Sequence, residues 1–145
     1  MKKILFVCHG NICRSPMAEY AFRELVRQAG LDGVFACASA ATSAEELGNG
    51  VYPPAARLLR EAGIDCSRHR ARQMSRADYD RYDCIVAMDR RNLRNIERIA
   101  GADTQGKVRL LLPTAEVADP WYTGDFDTAW AQIRSGCAAL LDELK

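Results

Sequence analysis

The sequence predicts an α/β fold, a single domain spanning residues 1–145 in which a parallel sheet is covered on both faces by helices. Three observations carry that prediction. Short apolar runs rich in β-branched and aromatic residues alternate with amphipathic stretches of helical period. Such alternation favours parallel strands, because each helix returns the chain to the same end of the sheet. The N-terminal stretch compresses the pattern into one strand, one tight polar loop and one helix start, and the ligand site of such a sheet lies outside the carboxyl ends of its strands.

The first strand is Ile4-Leu5-Phe6-Val7. The helix behind it follows apolar positions 18, 21, 22, 25 and 26, with Ser15 expected as its N-cap and Pro16 as its first helical residue. Residues 34–39 read as a second strand and residues 40–50, rich in Ala, Thr, Ser, Gly and Asn, as a loop. A helix opens at Pro53-Pro54 and ends at Gly63. Ser75 caps a short helix, residues 84–88 form the third strand, residues 89–99 a helix, and residues 108–112 the fourth strand. Apolar positions from 126 to 144 mark a long final helix. Cys8, Ser39 and Met88 are all expected at carboxyl ends of strands.

The loop Cys8-His9-Gly10-Asn11-Ile12-Cys13-Arg14-Ser15 carries the chemistry. A loop that runs into a helix N-terminus points successive backbone N–H groups into one concavity, where the helix dipole also favours an anion. Cys8 opens it and Arg14 closes it. A sulfur nucleophile needs positive potential beside it. The planar guanidinium of Arg14 suits two oxygens of a tetrahedral oxyanion. Gly10 and Asn11 are residue types that tolerate the left-handed backbone of a tight cradle. A second polar loop, Asp119-Pro120-Trp121-Tyr122-Thr123-Gly124-Asp125, offers a carboxyl group to protonate a departing oxygen, and by composition Asp119 is equally a turn cap.

Composition bounds the rest. With 48% hydrophobic and 27% charged residues the chain is ordinary for a globular protein, and a net charge of +1 gives no argument for nucleic acid or an anionic membrane. The charge is uneven: residues 57–98 hold eleven arginines against seven acids, which reads as a solvated mixed-charge face. The N-terminus enters a strand after Met1-Lys2-Lys3, so neither a signal peptide nor a membrane span is expected. Six cysteines without a Cys-x2-Cys pair, beside two histidines, argue against zinc and for a cytoplasmic chain with reduced thiols. Cys37, Cys66, Cys84 and Cys137 read as packing residues.

The run from Cys8 to Glu19, CHGNICRSPMAE, resembles the signature of the low-molecular-weight protein tyrosine phosphatases, in a bacterial-type form, and later segments match that family in order along essentially the whole chain. The resemblance implies a four-stranded, flavodoxin-like three-layer α/β/α fold. It implies hydrolysis of phosphotyrosine and small aryl phosphates through a cysteinyl-phosphate intermediate. Cys8 would be the nucleophile, Arg14 the phosphate clamp and Asp119 the general acid and then base, with Asp125 and Asp89 as the next candidates for the acid. His9, Gly10, Asn11, Ile12 and Cys13 would line the phosphate cradle with Arg14. Trp121 and Tyr122 would wall the cleft beside Pro120, and Leu47 would stand at its mouth where some members carry an aromatic. Asn11, Ser39 and His69 would form a network holding the cradle, with Ser15 donating to the leaving thiolate. Cys13 would form a reversible disulfide with Cys8 that shelters it from overoxidation. No metal or cofactor is implied. The partners expected are tyrosine-phosphorylated proteins or peptides, a cognate tyrosine kinase, and phosphate or another oxyanion in the site, for a monomer or weakly self-associating chain that binds neither nucleic acid nor membrane.

Two rivals share the loop. An arsenate reductase coupled to thioredoxin needs a shuttling cysteine pair after the third strand, where this chain has none until Cys137. A protein arginine phosphatase carries threonine where Ile12 stands and lacks the aromatic pair, so Ile12, Trp121 and Tyr122 favour phosphotyrosine. A non-catalytic phosphate-binding module would have lost the nucleophile, the arginine or the acid, and this chain keeps all three.

Overall fold

A computed structural model describes residues 1–145. The chain runs through β1 (Lys2–Cys8), α1 (Arg14–Gln28), β2 (Phe35–Ala41), α2 (Pro53–Glu61) and α3 (Arg76–Arg81). It continues through β3 (Cys84–Ala87), α4 (Arg90–Ala100), β4 (Val108–Leu110), α5 (Pro120–Thr123) and α6 (Phe126–Leu144). The four strands form one sheet in the order β2-β1-β3-β4, with every pair parallel.

The inner strands explain the layers. From Ile4 to Cys8 and from Cys84 to Ala87 every residue is buried, which requires cover on both faces of the sheet. Strand alternation then divides them. Ile4, Phe6, Cys8, Cys84 and Val86 join one core with Met17 and Phe22 of α1, Leu59 of α2 and Ile133 of α6. Leu5, Val7, Ile85 and Ala87 join a second core with Tyr79 of α3 and Ile96 of α4. At Gly136 of α6 a Cβ would meet Leu111 Cγ at 2.7 Å, so only glycine lets the last helix lie this close to the chain beyond β4. Because β1 is followed by β2 on one side and β3 on the other, a crevice opens at their carboxyl ends, with Cys8 in it.

The structure departs from the sequence expectations at three elements. Helix α1 starts at Arg14, with Cys13 at the N-cap and no side chain bonded to the cap amides. Ser15 is therefore inside the helix and Pro16 is its third residue. The hydroxyl of Ser15 is committed to Cys8 and Asn11 instead, and its backbone amide is turned to Cys8 Sγ as well. Ser39 is not at a strand end: β2 continues to Ala41, and Ser39 sits opposite Phe6 within the ladder. The stretch after Asp119 is one helical turn, started by Pro120 and stopped by Gly124 at φ 73°. A four-residue turn is too short to have a readable period.

Helix α3 depends on a buried carboxylate. Asp78 accepts from Ser75 N at 2.8 Å, completing a capping box, and from Arg72 Nη1 at 3.0 Å. Burial pushes its pKa up, but the Arg72 bond, the Ser75 amide and the Arg81 charge outweigh that, and the net direction is below the ordinary 3.8. A carboxyl depressed in the folded state contributes stability that is fully present above its unfolded pKa and is lost as pH falls through the folded one. Asp78→Asn should therefore cost about 1–3 kcal/mol near neutral pH. Urea titrations of both proteins should show that gap closing as the pH is lowered below about 4. A gap independent of pH would mean that the carboxylate's charge contributes nothing.

Candidate active site

Residues 9–13 join β1 to α1 and turn around Asn11, the only non-glycine residue with positive φ, at 60°. Gly10 is not left-handed, contrary to the sequence expectation, so Asn11 alone supplies that turn. Four bonds hold it. Its Nδ2 donates to Ser15 Oγ at 2.8 Å and Ser39 Oγ at 2.9 Å, and its Oδ1 accepts from Arg72 N at 3.1 Å. Its carbonyl lies 2.7 Å from His69 Nε2, a buried ring that also meets Tyr20 edge-on. Ser39 in turn donates to Glu19 Oε1 at 2.6 Å, and Glu19 is ion-paired with Arg23.

The turn aims donors at one sulfur. Cys8, 3% exposed, has Ser15 Oγ at 3.0 Å and accepts from Asn11 N at 3.3 Å and Ser15 N at 3.4 Å. Three donors thus converge on one sulfur. Arg14 lies beside it at 2% exposure. Its Nη1 donates backward, to Asp89 Oδ2 at 2.7 Å and Val117 O at 2.8 Å, while its Nη2 faces Asp119 Oδ2 at 3.4 Å. Burial works against the Arg14 charge, but Cys8, Asp119 and Asp89 outweigh it and raise the pKa further. Arg14 is thus a fixed cation with one edge anchored and the other available.

Cys8, Arg14 and Asp119 line a pocket of about 100 Å³ together with His9, Gly10, Ile12, Cys13, Trp121 and Tyr122, whereas Asn11, expected in that lining, is fully buried behind it. Asp119 divides its carboxylate between two surroundings. Oδ1 caps α5 by accepting from Trp121 N at 3.1 Å, and Oδ2 turns to the pocket. The other acids considered are engaged elsewhere: Asp89 caps α4 through Asn92 N and anchors Arg14, and Asp125 accepts from Thr128 N at 3.0 Å outside the pocket. Pro120 is buried at the start of α5. Trp121 packs on Tyr52 with ring centroids 4.9 Å apart, and Tyr122 is 73% exposed. Burial, then the charges of Cys8 and Asp119, drive the Cys13 pKa well up, and both cysteines are free thiols.

Leu47 corrects an expectation. It is 53% exposed and does not line the pocket; Glu45 and Glu46 stand there instead, Glu45 Oε2 lying 2.8 Å from His9 Nε2. Sequence reasoning assigned no site role to either glutamate, nor to Glu19, Arg72 and Tyr52, because which loop or helix side chain reaches the site depends on how distant segments meet. From the sequence Asp89 is expected as the first residue of a helix and as a reserve candidate for the acid; its bond to Arg14, which spans 75 positions, is not legible there. Cys84 and Cys137 are buried in the core, away from the pocket.

The model of the family described as low molecular weight phosphotyrosine protein phosphatase matches residues 3–145. A Bacillus subtilis protein, the low molecular weight protein-tyrosine-phosphatase YfkJ, is 38% identical over 151 residues, covering 100% of this chain and 97% of its own. A low molecular weight phosphotyrosine protein phosphatase of Schizosaccharomyces pombe is 43% identical, over 84% of this chain and 82% of its own. The crystal structure of YfkJ superposes with a TM-score of 0.95 over 99% of this chain and 94% of that one. That of a drosophila arginine phosphatase reaches 0.89 at 32% identity, over 100% and 98%. Fold similarity therefore extends to relatives of different phosphoresidue specificity.

Substitutions at Asn11 separate its backbone angle from its side-chain bonds. Asn11→Gly keeps the positive φ and loses the amide, and should cost about 1–3 kcal/mol in urea unfolding. Asn11→Ala loses both and should cost about 1 kcal/mol more. Both should weaken inorganic phosphate binding. An alanine variant as stable as the glycine one would remove the strained angle from the account.

Proposed function

Because the chain belongs to the low-molecular-weight phosphotyrosine protein phosphatase family and is a protein-tyrosine phosphatase acting on phosphoprotein substrates, we propose the following division of labour among its residues. Residues 1–145 form one catalytic domain. Cys8, as a thiolate, attacks the phosphorus of a bound phosphotyrosine, and the P–O bond to the phenol breaks. Asp119, protonated at the start, gives its proton to the departing phenolic oxygen. The product is a cysteinyl phosphate. A water molecule then attacks the phosphorus, Asp119 takes its proton, and the P–S bond breaks to release inorganic phosphate and the Cys8 thiolate.

Arg14 and the loop amides hold the equatorial oxygens through both steps. The guanidinium edge anchored on Asp89 and Val117 leaves Nη2 for the anion, so the cation needs no rearrangement as charge develops. The Ser15 hydroxyl, 3.0 Å from Cys8 Sγ, stabilises the sulfur as it leaves in the second step. Asn11, Ser39 and His69 position the loop without touching the substrate. Ile12, Trp121 and Tyr122 take the aromatic ring, which favours phosphotyrosine over phosphoarginine. With peroxide as the oxidant, Cys8 sulfur would take one peroxide oxygen to become a sulfenic acid and release hydroxide. Cys13 sulfur would then displace that oxygen as water to give the disulfide, and two molecules of an added thiol would restore both cysteines while joining as their own disulfide. A cytoplasmic location and a cognate tyrosine kinase complete the proposal; no helix of the chain is long and apolar enough to cross a membrane.

The single observation that carries the assignment is the convergence on one pocket of a buried sulfur with three donors, a half-anchored arginine and a carboxylate 3.4 Å from it. Cys8→Ser should abolish turnover of phosphotyrosine and of an aryl phosphate while phosphate binding remains measurable by calorimetry. Turnover near that of the unmodified protein in a clean preparation would sink the mechanism.

The acid has its own test. A poorly basic aryl leaving group needs little protonation, whereas the phenol of tyrosine needs more. Asp119→Asn should slow the phosphorylation step by about 10²–10⁴-fold on phosphotyrosine and much less on an activated aryl phosphate. Burst or single-turnover kinetics isolate that step from hydrolysis of the intermediate. Equal losses on both substrates would assign Asp119 to loop structure alone.

A further inference from the structure

A second groove, of about 440 Å³, adjoins the catalytic pocket and contains no hydrophobic residue in its lining. Arg91, Arg94 and Arg98 of α4 line it with Thr42 and Ser43, and His9 belongs to both cavities. Spacings of three and four place the three arginines on one face of α4. All three are exposed and none reaches a carboxylate; the one side-chain bond among them is Arg98 Nη1 to the neutral Asn95 Oδ1 at 2.9 Å. Seven of the other thirteen arginines do find an acid, so what sets these three apart is that they share one groove. Like charges on neighbouring turns repel one another, and a bound anion relieves that repulsion.

A second observation is independent of the charge. Thr42, 9% exposed, has a hydroxyl without a hydrogen-bond partner, and His9 Nδ1 is likewise unpartnered although its Nε2 is bonded to Glu45. These two atoms are the only buried side-chain polar atoms in the chain left unsatisfied, and both belong to residues of this groove. Buried polar atoms without partners are exceptions that call for an explanation, and a ligand is one.

We propose that this groove is an anion-binding subsite for a second acidic group of the substrate peptide, a carboxylate or a further phosphoryl group near the phosphotyrosine. The proposal rests on the phosphatase reading of the adjoining pocket, because one peptide presents both anions. Continuity through His9 favours a substrate over nucleic acid, as does a net charge of only +1 for the whole chain.

The test uses three phosphotyrosine peptides of equal length, flanked by neutral residues, by glutamates, or by one phosphoserine, with an aryl phosphate as control. At low salt the glutamate peptide, the phosphoserine peptide or both should exceed the neutral one in kcat/KM by about tenfold, mainly through KM, the size expected of a few exposed ion pairs. Salt should erase the advantage. Arg91→Ala/Arg94→Ala/Arg98→Ala should bring the favoured peptide down to the neutral level while leaving the neutral peptide and aryl phosphate unchanged. Arg94→Glu, which keeps two of the three arginines, should go part of the way. A preference for the phosphoserine peptide alone would identify the ligand as a phosphoryl group, and a preference for either acidic peptide supports the subsite. Equal kcat/KM for all three peptides would overturn it, as would parallel loss on the aryl phosphate or duplex DNA binding by the arginines without any peptide preference. If nothing turns over, the phosphatase reading itself fails. Anisotropy with non-hydrolysable phosphonate versions of the peptides then decides the groove separately, equal affinities overturning it.

Discussion

The site depends on one residue held in a conformation that most residues avoid. Asn11 sits at φ 60°, and that single angle turns the loop so that its own amide and that of Ser15 point at Cys8. A left-handed residue costs roughly 1–2 kcal/mol. Bonds from Ser15, Ser39, Arg72 and His69, at a typical net of about 1 kcal/mol each, more than offset it. Their sources are instructive. They come from α1, from β2 and from the segment before α3, so the loop is fixed by three parts of the fold rather than by its own sequence. Asp78 extends this dependence, because it holds Arg72, whose amide holds Asn11.

Arg14 solves a different problem. A buried cation is expensive unless paired, yet a fully paired one has nothing left for a ligand. Here the two edges of the guanidinium are divided. Asp89 and a backbone carbonyl satisfy one side permanently, and Asp119 approaches the other at a longer distance, 3.4 Å, from the N-cap of a single helical turn. The permanent partner comes from the end of β3 and the looser one from a separate loop. A bound phosphoryl group can therefore take over the second edge without exposing the first.

The charge around the mouth is sorted by side. Glu45 and Glu46 stand on the catalytic pocket, and the α4 arginines stand on the adjoining groove, with His9 between them. The uneven distribution legible in residues 57–98 reads as a mixed-charge face, and at Arg57, Arg72 and Arg81, which all find acids, it is one. On α4 it is not. A sequence does not tell which arginines share a face with a carboxylate, because pairing depends on which elements the fold brings alongside.

By itself, the sequence determined the four strands, the five longer helices, their parallel order of layers and the Cys-to-Arg loop at a carboxyl end, because each is a local pattern of period, cap or turn residue. It pointed to Cys8 and Arg14, and through the family resemblance to Asp119, Asn11, Ser39 and His69, as residues of one site. The tertiary structure decided what local pattern cannot hold. It moved the start of α1 to Arg14, because Ser15 is drawn to Cys8 and Asn11 and is not spent on a cap. It put Glu45 and Glu46, not Leu47, at the pocket, since the direction of a loop side chain follows from where its ends are anchored. It also joined Arg14 to Asp89 across 75 positions. Such pairings arise only when separate strand ends meet at one edge of the sheet, and that meeting is a property of the fold.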